Sequence, residues 1–129
     1  MKMMDKVDMG NSKGIGIGML GCGVVGSVVV RTLLEKSTAI KQYVQQVVEF
    51  RKILVRNIRK PRNWPIEESL LTTDENAIIE ASNIDVIVEV MGGVDPAYKL
   101  VRKAIINGKH VVTANKELMA KHGMELMAL

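Results

Sequence analysis

The stretch Ile17-Gly18-Met19-Leu20-Gly21-Cys22-Gly23-Val24-Val25-Gly26, IGMLGCGVVG, sets glycines at 21, 23 and 26 among the most apolar residues of the chain. Glycine loses more conformational freedom on folding than any other residue and adds no packing. Core formation therefore does not account for the pattern, whose spacing is G-x-G-x-x-G. Ile15 to Leu20 reads as a buried strand, and Val25, Val28, Val29, Thr32 and Leu33 recur at helical i, i+3, i+4 intervals. Between a strand and a helix, the first glycine makes the tight turn, the second admits a pyrophosphate to the backbone, and the third lets the helix approach the sheet. The N–H groups of the helix start, at Val24 and Val25, then face an anion. A purely structural glycine turn is the alternative. Cys22, between two of the glycines, is read as a small residue fitted to a crowded turn, because no histidine neighbours it in sequence to make it a nucleophile.

Outward from this motif, strands and helices alternate. Ser37-Thr38 loosens or ends the first helix, and Ile40 to Phe50 reads as a further helix or an irregular extension. Lys52 to Lys60 carries the apolar run of a second strand, stopped by Pro61 and Pro65 around the single Trp64. Glu75 to Ser82 suits a short helix and Ile84 to Val90 a third strand ending at Met91-Gly92-Gly93. Pro96 suits the first turn of the next helix, whose apolar stripe is Ala97, Leu100, Val101, Ala104 and Ile105, and Asn107-Gly108 ends it. Lys109 to Thr113 is a fourth strand, followed by a helix from about Lys116 or Glu117. Four strand–helix repeats predict an α/β, Rossmann-like three-layer domain with a mostly parallel sheet over 15–129, preceded by a flexible lead at 1–14. The chain stops at the apolar segment MELMAL, so the sheet is expected to be incomplete at its C-terminal side.

The chain has 129 residues, enough for one domain, and a formal charge of +4. That charge is too small to argue for nucleic acid. One cysteine permits no internal disulfide and no cysteine-rich metal site, which favours a cytoplasmic protein. No run approaches the length of about 18 apolar residues that a membrane helix needs. His110 and His122 are read as structural or exposed, and no metal site is expected.

The end of the second strand decides the coenzyme. An acid there would bind a ribose 2′-hydroxyl, whereas arginine accommodates a 2′-phosphate. Arg56, Arg59 and Lys60 follow the strand, with Arg62 a further candidate and no acid before Glu67. NADP is therefore expected in preference to NAD, with a solvated basic loop as the alternative. Arg56 lies 30 positions beyond Gly26, so the extended helical region is an insertion. Glu89 interrupts the apolar third strand near the edge where parallel sheets bind ligands, and serves either that site or a structural hydrogen bond. Gly92-Gly93 keeps the cleft free of side chains. Lys116, in TANK at 113–116, reaches the same edge as a candidate proton relay or substrate contact, against the ordinary surface role of lysine.

LGCGVVG at 20–26, VRNIRKPR at 55–62, DVIVEVMGG at 85–93 and NGKHVVTANKELMAKHG at 107–123 together resemble the N-terminal coenzyme-binding domain of homoserine dehydrogenase. The last two segments are the more specific, and 37–49 matches least. The resemblance implies reversible NAD(P)-dependent interconversion of L-homoserine and L-aspartate 4-semialdehyde, on the route to threonine, methionine and isoleucine. It implies that Lys116 contacts the active centre and takes part in proton transfer. Thr113 and Asn115 would line the cleft near the nicotinamide, with Gly92 beside it. The family continues into a domain that supplies substrate ligands and dimer contacts, so a homo-oligomeric full-length enzyme is implied, with the 129-residue chain inactive alone. Its partner is a small-molecule substrate. A relative acting on another amino-acid semialdehyde and a non-catalytic dinucleotide sensor are the competing classes.

Overall fold

The computed structural model describes residues 14–62 and 65–129. The expected lead therefore lies outside the described residues except for Gly14, as does Trp64. Five strands are formed: β1 (Ile15–Leu20), β2 (Val48–Leu54), β3 (Leu71–Thr72), β4 (Val86–Glu89) and β5 (His110–Thr113). Helices α1 (Val24–Glu35) and α2 (Ser37–Val44) join β1 to β2. The single turn α3 (Asn76–Ile79) precedes β4, α4 (Ala97–Ile106) joins β4 to β5, and α5 (Lys116–Met127) follows.

The sheet order is β3-β2-β1-β4-β5, and all four pairings are parallel. Chain order runs outward from β1 in one direction and from β4 in the other, which makes the β1/β4 boundary the switch point at which such sheets bind ligands. Alternation along β1 supplies both layers. Met19 packs with Val30 of α1, Ile53 and Leu71 on one face, and Leu20 packs with Ile78, Ile87, Leu100 and Ala104 under α3 and α4 on the other. A third cluster of Ala97, Val101, Leu118 and Leu126 binds α5 to α4. Each Val, Leu, Ile or Met side chain among these, taken fully out of water, contributes about 1.5–3 kcal/mol. Among the described residues no helix is long and apolar enough to cross a membrane.

Several elements differ from expectation. The second strand begins at Val48, not Lys52, and ends at Leu54, with α2 occupying 37–44. The charged residues that obscure it, Glu49, Arg51 and Lys52, lie where β3 does not reach, since β3 pairs only with Ile53 and Leu54. Lys52 instead donates to the Ser69 carbonyl at 2.7 Å. A strand beyond the four expected, β3, has only two residues, too few to carry a period. The expected helix at 75–82 contracts to 76–79, and Pro96 stands as the N-cap of α4 instead of within its first turn.

Candidate coenzyme cleft

Register sets the site. Thr72, Leu54, Leu20, Glu89 and Thr113 are successive partners across the sheet, so all five strands end level at its C-terminal edge. The candidate residues lie at this row, in the turns beyond it, or in the first turn of the helix that follows, as Val24, Val25 and Gly26 do in α1 and Lys116 in α5. A cleft of about 870 Å³ opens there, lined by Gly21, Gly23, Val24, Arg56, Lys60 and Met91 among others. Its size is within the range of ligand sites.

The glycine turn has the geometry that the spacing implies. Gly21 has φ +95°, and a Cβ there would stand 3.3 Å from Met91 Cα. A Cβ on Gly26 would lie 3.1 Å from the Gly21 carbonyl oxygen and 3.2 Å from Met19 Cε and Val90 Cγ2, so the missing side chain lets α1 rest on the sheet. Gly23 differs: nothing stands within 4 Å of its Cβ position, and it faces the cleft. It is also the N-cap of α1 and offers no capping side chain. The first helical hydrogen bond runs from Ser27 N–H to the Gly23 carbonyl at 2.9 Å, so the N–H groups of Val24, Val25 and Gly26 precede the helical ladder. Cys22 packs with the Met19 cluster, its sulfur 3.8 Å from Ser27 Oγ.

Beyond β2, Arg56, Arg59 and Lys60 are exposed, and Arg56 and Lys60 line the cleft. Arg62 also lines the cleft and has a further task. Its guanidinium donates to the carbonyls of Asn57 (2.8 Å), Ile58 (3.1 Å) and Lys60 (2.7 Å), while Asn57 Oδ1 accepts from Arg59 N–H at 2.9 Å. Arg62 thus braces the basic turn from within. Sequence reasoning missed that use because its partners are backbone atoms. It also missed Ser27, Thr73 and Glu75 on the cleft wall, of which Thr73 and Glu75 follow the unrecognised β3.

On the β4 and β5 side, Glu89 is fully buried. Its Oε2 accepts from Met91 N–H at 2.8 Å, Gly92 N–H at 3.4 Å and Asn115 Nδ2 at 3.5 Å, and its Oε1 accepts from the Thr113 hydroxyl. Asn115 is 7% exposed, and its side chain turns inward, donating to the Gly93 carbonyl at 2.5 Å and accepting from Leu118 N–H at 3.0 Å as the N-cap of α5. Thr113 Oγ1 also accepts from Asn115 N–H at 3.0 Å. Gly92, with φ +77°, is exposed on the turn. Lys116 is the first residue of α5 and exposed, with no side-chain partner among the described residues. Thr113, Asn115 and Lys116 are not among the residues lining the main cleft and stand beyond its β4 wall. His110 is exposed on β5, and His122 stacks on Tyr98 at 4.0 Å.

Residues 21–129 match the model of the family described as homoserine dehydrogenase, NAD binding domain. The chain belongs to that family. It is 39% identical to homoserine dehydrogenase of Bacillus subtilis over 90% of its own length and 27% of the relative's. To that of Corynebacterium glutamicum it is 41% identical, over 91% of the chain and 26% of the relative. The crystal structure of S. aureus homoserine dehydrogenase at pH 7.0 superposes with a TM-score of 0.82 at 40% identity, covering 88% of this chain and 29% of that one. The chain thus spans about a quarter of the curated relatives it matches. Its five parallel strands and glycine turn are those of a homoserine dehydrogenase coenzyme domain, and an NAD(P) coenzyme fits the residues present: an open Gly23, free N–H groups at the start of α1 and cations beyond β2.

Proposed function

We propose that this chain forms the coenzyme half of an NADP-preferring homoserine dehydrogenase, a cytoplasmic and homo-oligomeric enzyme that interconverts L-homoserine and L-aspartate 4-semialdehyde in the synthesis of threonine, methionine and isoleucine. The observation that carries the coenzyme preference is the exit of β2. Arg56 is exposed on the cleft wall where an acid would bind a free ribose, and Arg59 and Lys60 stand on the same turn. Gly21, Gly23 and Gly26 shape the backbone around the pyrophosphate, and the N–H groups of Val24 and Val25 bind it.

Bound NADP supplies the hydride acceptor or donor. The chain orients it. With strands about 4.8 Å apart, the exits of β2 and β5 lie about 14 Å from one another, which separates an adenosine end at Arg56 from a reacting end at Gly92, Thr113 and Asn115. Lys116, exposed at the start of α5, contacts the substrate and relays the proton that accompanies hydride transfer. Substrate must also be held against the nicotinamide, a role for residues outside this chain, so the chain alone binds coenzyme without appreciable turnover.

A chimera in which this chain replaces the coenzyme domain of the Bacillus subtilis relative tests the assignment. Reduction of NADP dependent on L-homoserine is expected in the chimera, absent from the isolated chain, and abolished by Lys116→Ala. A folded chimera that binds coenzyme and oxidises no homoserine contradicts the assignment, as does robust oxidation by the chain alone.

A further inference from the structure

Glu89 sits in a position where an apolar residue would pack at less cost. Its neighbours on the same face are Leu20, its partner across β1, and Ile87, both buried in the core under α3 and α4. Burying a carboxylate is costly unless its oxygens are satisfied, and well-packed apolar replacements of buried charged groups are often as stable or more so. Stability of the core therefore does not explain a glutamate here. Its partners do. Glu89 accepts from Met91 and Gly92 N–H groups of the turn beyond β4, and from Thr113 and Asn115 of the turn beyond β5. Asn115 closes the circuit by donating to the Gly93 carbonyl and capping the helix that begins at Lys116. One carboxylate thus ties together two separate turns that form the reacting end of the site.

We propose that Glu89 is a positioning residue for the nicotinamide half of the coenzyme, fixing the Met91-Gly92 backbone and the Thr113-Asn115 turn, and through Asn115 the start of α5, in one arrangement. The role rests on the coenzyme function proposed above. It makes Glu89 distinct from the β2 exit, with which it shares none of these hydrogen bonds. Met91 also stands against Gly21, so a coenzyme piece held on the Gly21 and Arg56 side senses Glu89 only through that one contact, whereas the intact dinucleotide senses both turns.

The test compares Glu89→Ala and Glu89→Gln with the unsubstituted chain, by isothermal titration with NADPH and with adenosine 2′,5′-bisphosphate, which lacks the nicotinamide half. Hydrogen exchange at the Met91 and Gly92 amides is followed in parallel. Expected for Glu89→Ala are a loss of about tenfold or more in NADPH affinity, as for hydrogen bonds to a charged group, a clearly smaller loss for the bisphosphate, and faster exchange at both amides. Glu89→Gln keeps one oxygen for the Met91 and Gly92 N–H groups and turns its amide toward the Thr113 hydroxyl, so it restores most of the affinity. If Glu89→Ala does not fold, Glu89→Gln carries the test, with a loss of about threefold for NADPH alone. Parallel weakening of both ligands, or no change in either, overturns the positioning role. Failure of the unsubstituted chain to bind either ligand overturns the coenzyme function itself, and is thereby distinguishable.

Discussion

The Arg62 guanidinium donates to the Asn57 carbonyl at 2.8 Å, and with its two further carbonyl contacts it holds the 57–60 turn from the inside. The arginine that follows the basic cluster is thus its scaffold. Arg62→Ala is expected to weaken NADPH binding several-fold, because hydrogen bonds from a charged donor contribute about 1.5–3 kcal/mol and part of that order is passed to the turn. Arg62→Lys is expected to bind as poorly, since one ammonium does not span three carbonyls. Isothermal titration checks both, and full rescue by lysine contradicts the bracing role.

Arg56 faces the cleft and has no side-chain partner among the described residues. Arg56→Ala is expected to cost about tenfold or more in NADPH affinity, the scale of one charge-assisted hydrogen bond, and to leave NADH nearly unchanged. The ratio of the two dissociation constants is the quantity to measure. An equal loss for both coenzymes would assign Arg56 a role other than phosphate recognition.

Gly21 combines φ +95° with a close approach to Met91. Gly21→Ala is expected to destabilise the fold by about 1–3 kcal/mol, the cost of a non-glycine residue held at a sparsely populated backbone angle. Urea unfolding measures this, with coenzyme binding lost or strongly weakened in the same variant. A fully stable variant that still binds would show that the turn relaxes freely.

Tyr98 of α4 donates to Glu125 of α5, and His122 stacks on Tyr98 with its Nδ1 3.4 Å from Glu125 Oε2. The Tyr98 hydrogen bond, and after it His122, holds the Glu125 carboxyl below its ordinary range, and the same bond to Glu125 raises the Tyr98 phenol above its own. Glu125 therefore contributes stability above the ordinary carboxylate range that is lost as pH falls through its lowered folded value. Tyr98 contributes stability below the ordinary phenol range that is lost as pH rises through its raised folded value. Both groups are open to solvent, so the effects are small. Glu125→Gln is expected to flatten the acid limb of the stability profile and Tyr98→Phe the alkaline limb, as followed by urea midpoints across pH. Unaltered limbs would show that the contact does not persist in solution.

The fold was legible where one signal governed a whole segment. Gly21 to Gly26 announced the turn, Ile84 to Val90 a central strand, and the Ala97 to Ile105 stripe a helix, because each is dominated by burial on one sheet or face. Val48 to Arg51 was illegible for the opposite reason: that half of β2 lacks a partner on its β3 side and keeps charged side chains. Of the site candidates, Arg56 and Lys116 are plain in sequence, and both are exposed. Glu89 drew notice as an acid in an apolar strand, but its partners at Thr113 and Asn115 lie 24 and 26 residues away and only the β4–β5 register unites them. Asn115 likewise showed its place on the edge, and not the inward turn of its amide.

On the proposed function, the C-terminal edge of this sheet binds a dinucleotide and reads its 2′-phosphate. Isothermal titration of the 129-residue chain with NADPH and NADH decides this. Saturable one-to-one binding is expected, tighter for NADPH than for NADH. Equal affinity for the two would contradict phosphate recognition at the β2 exit, and binding of neither would contradict the coenzyme site as this chain alone forms it.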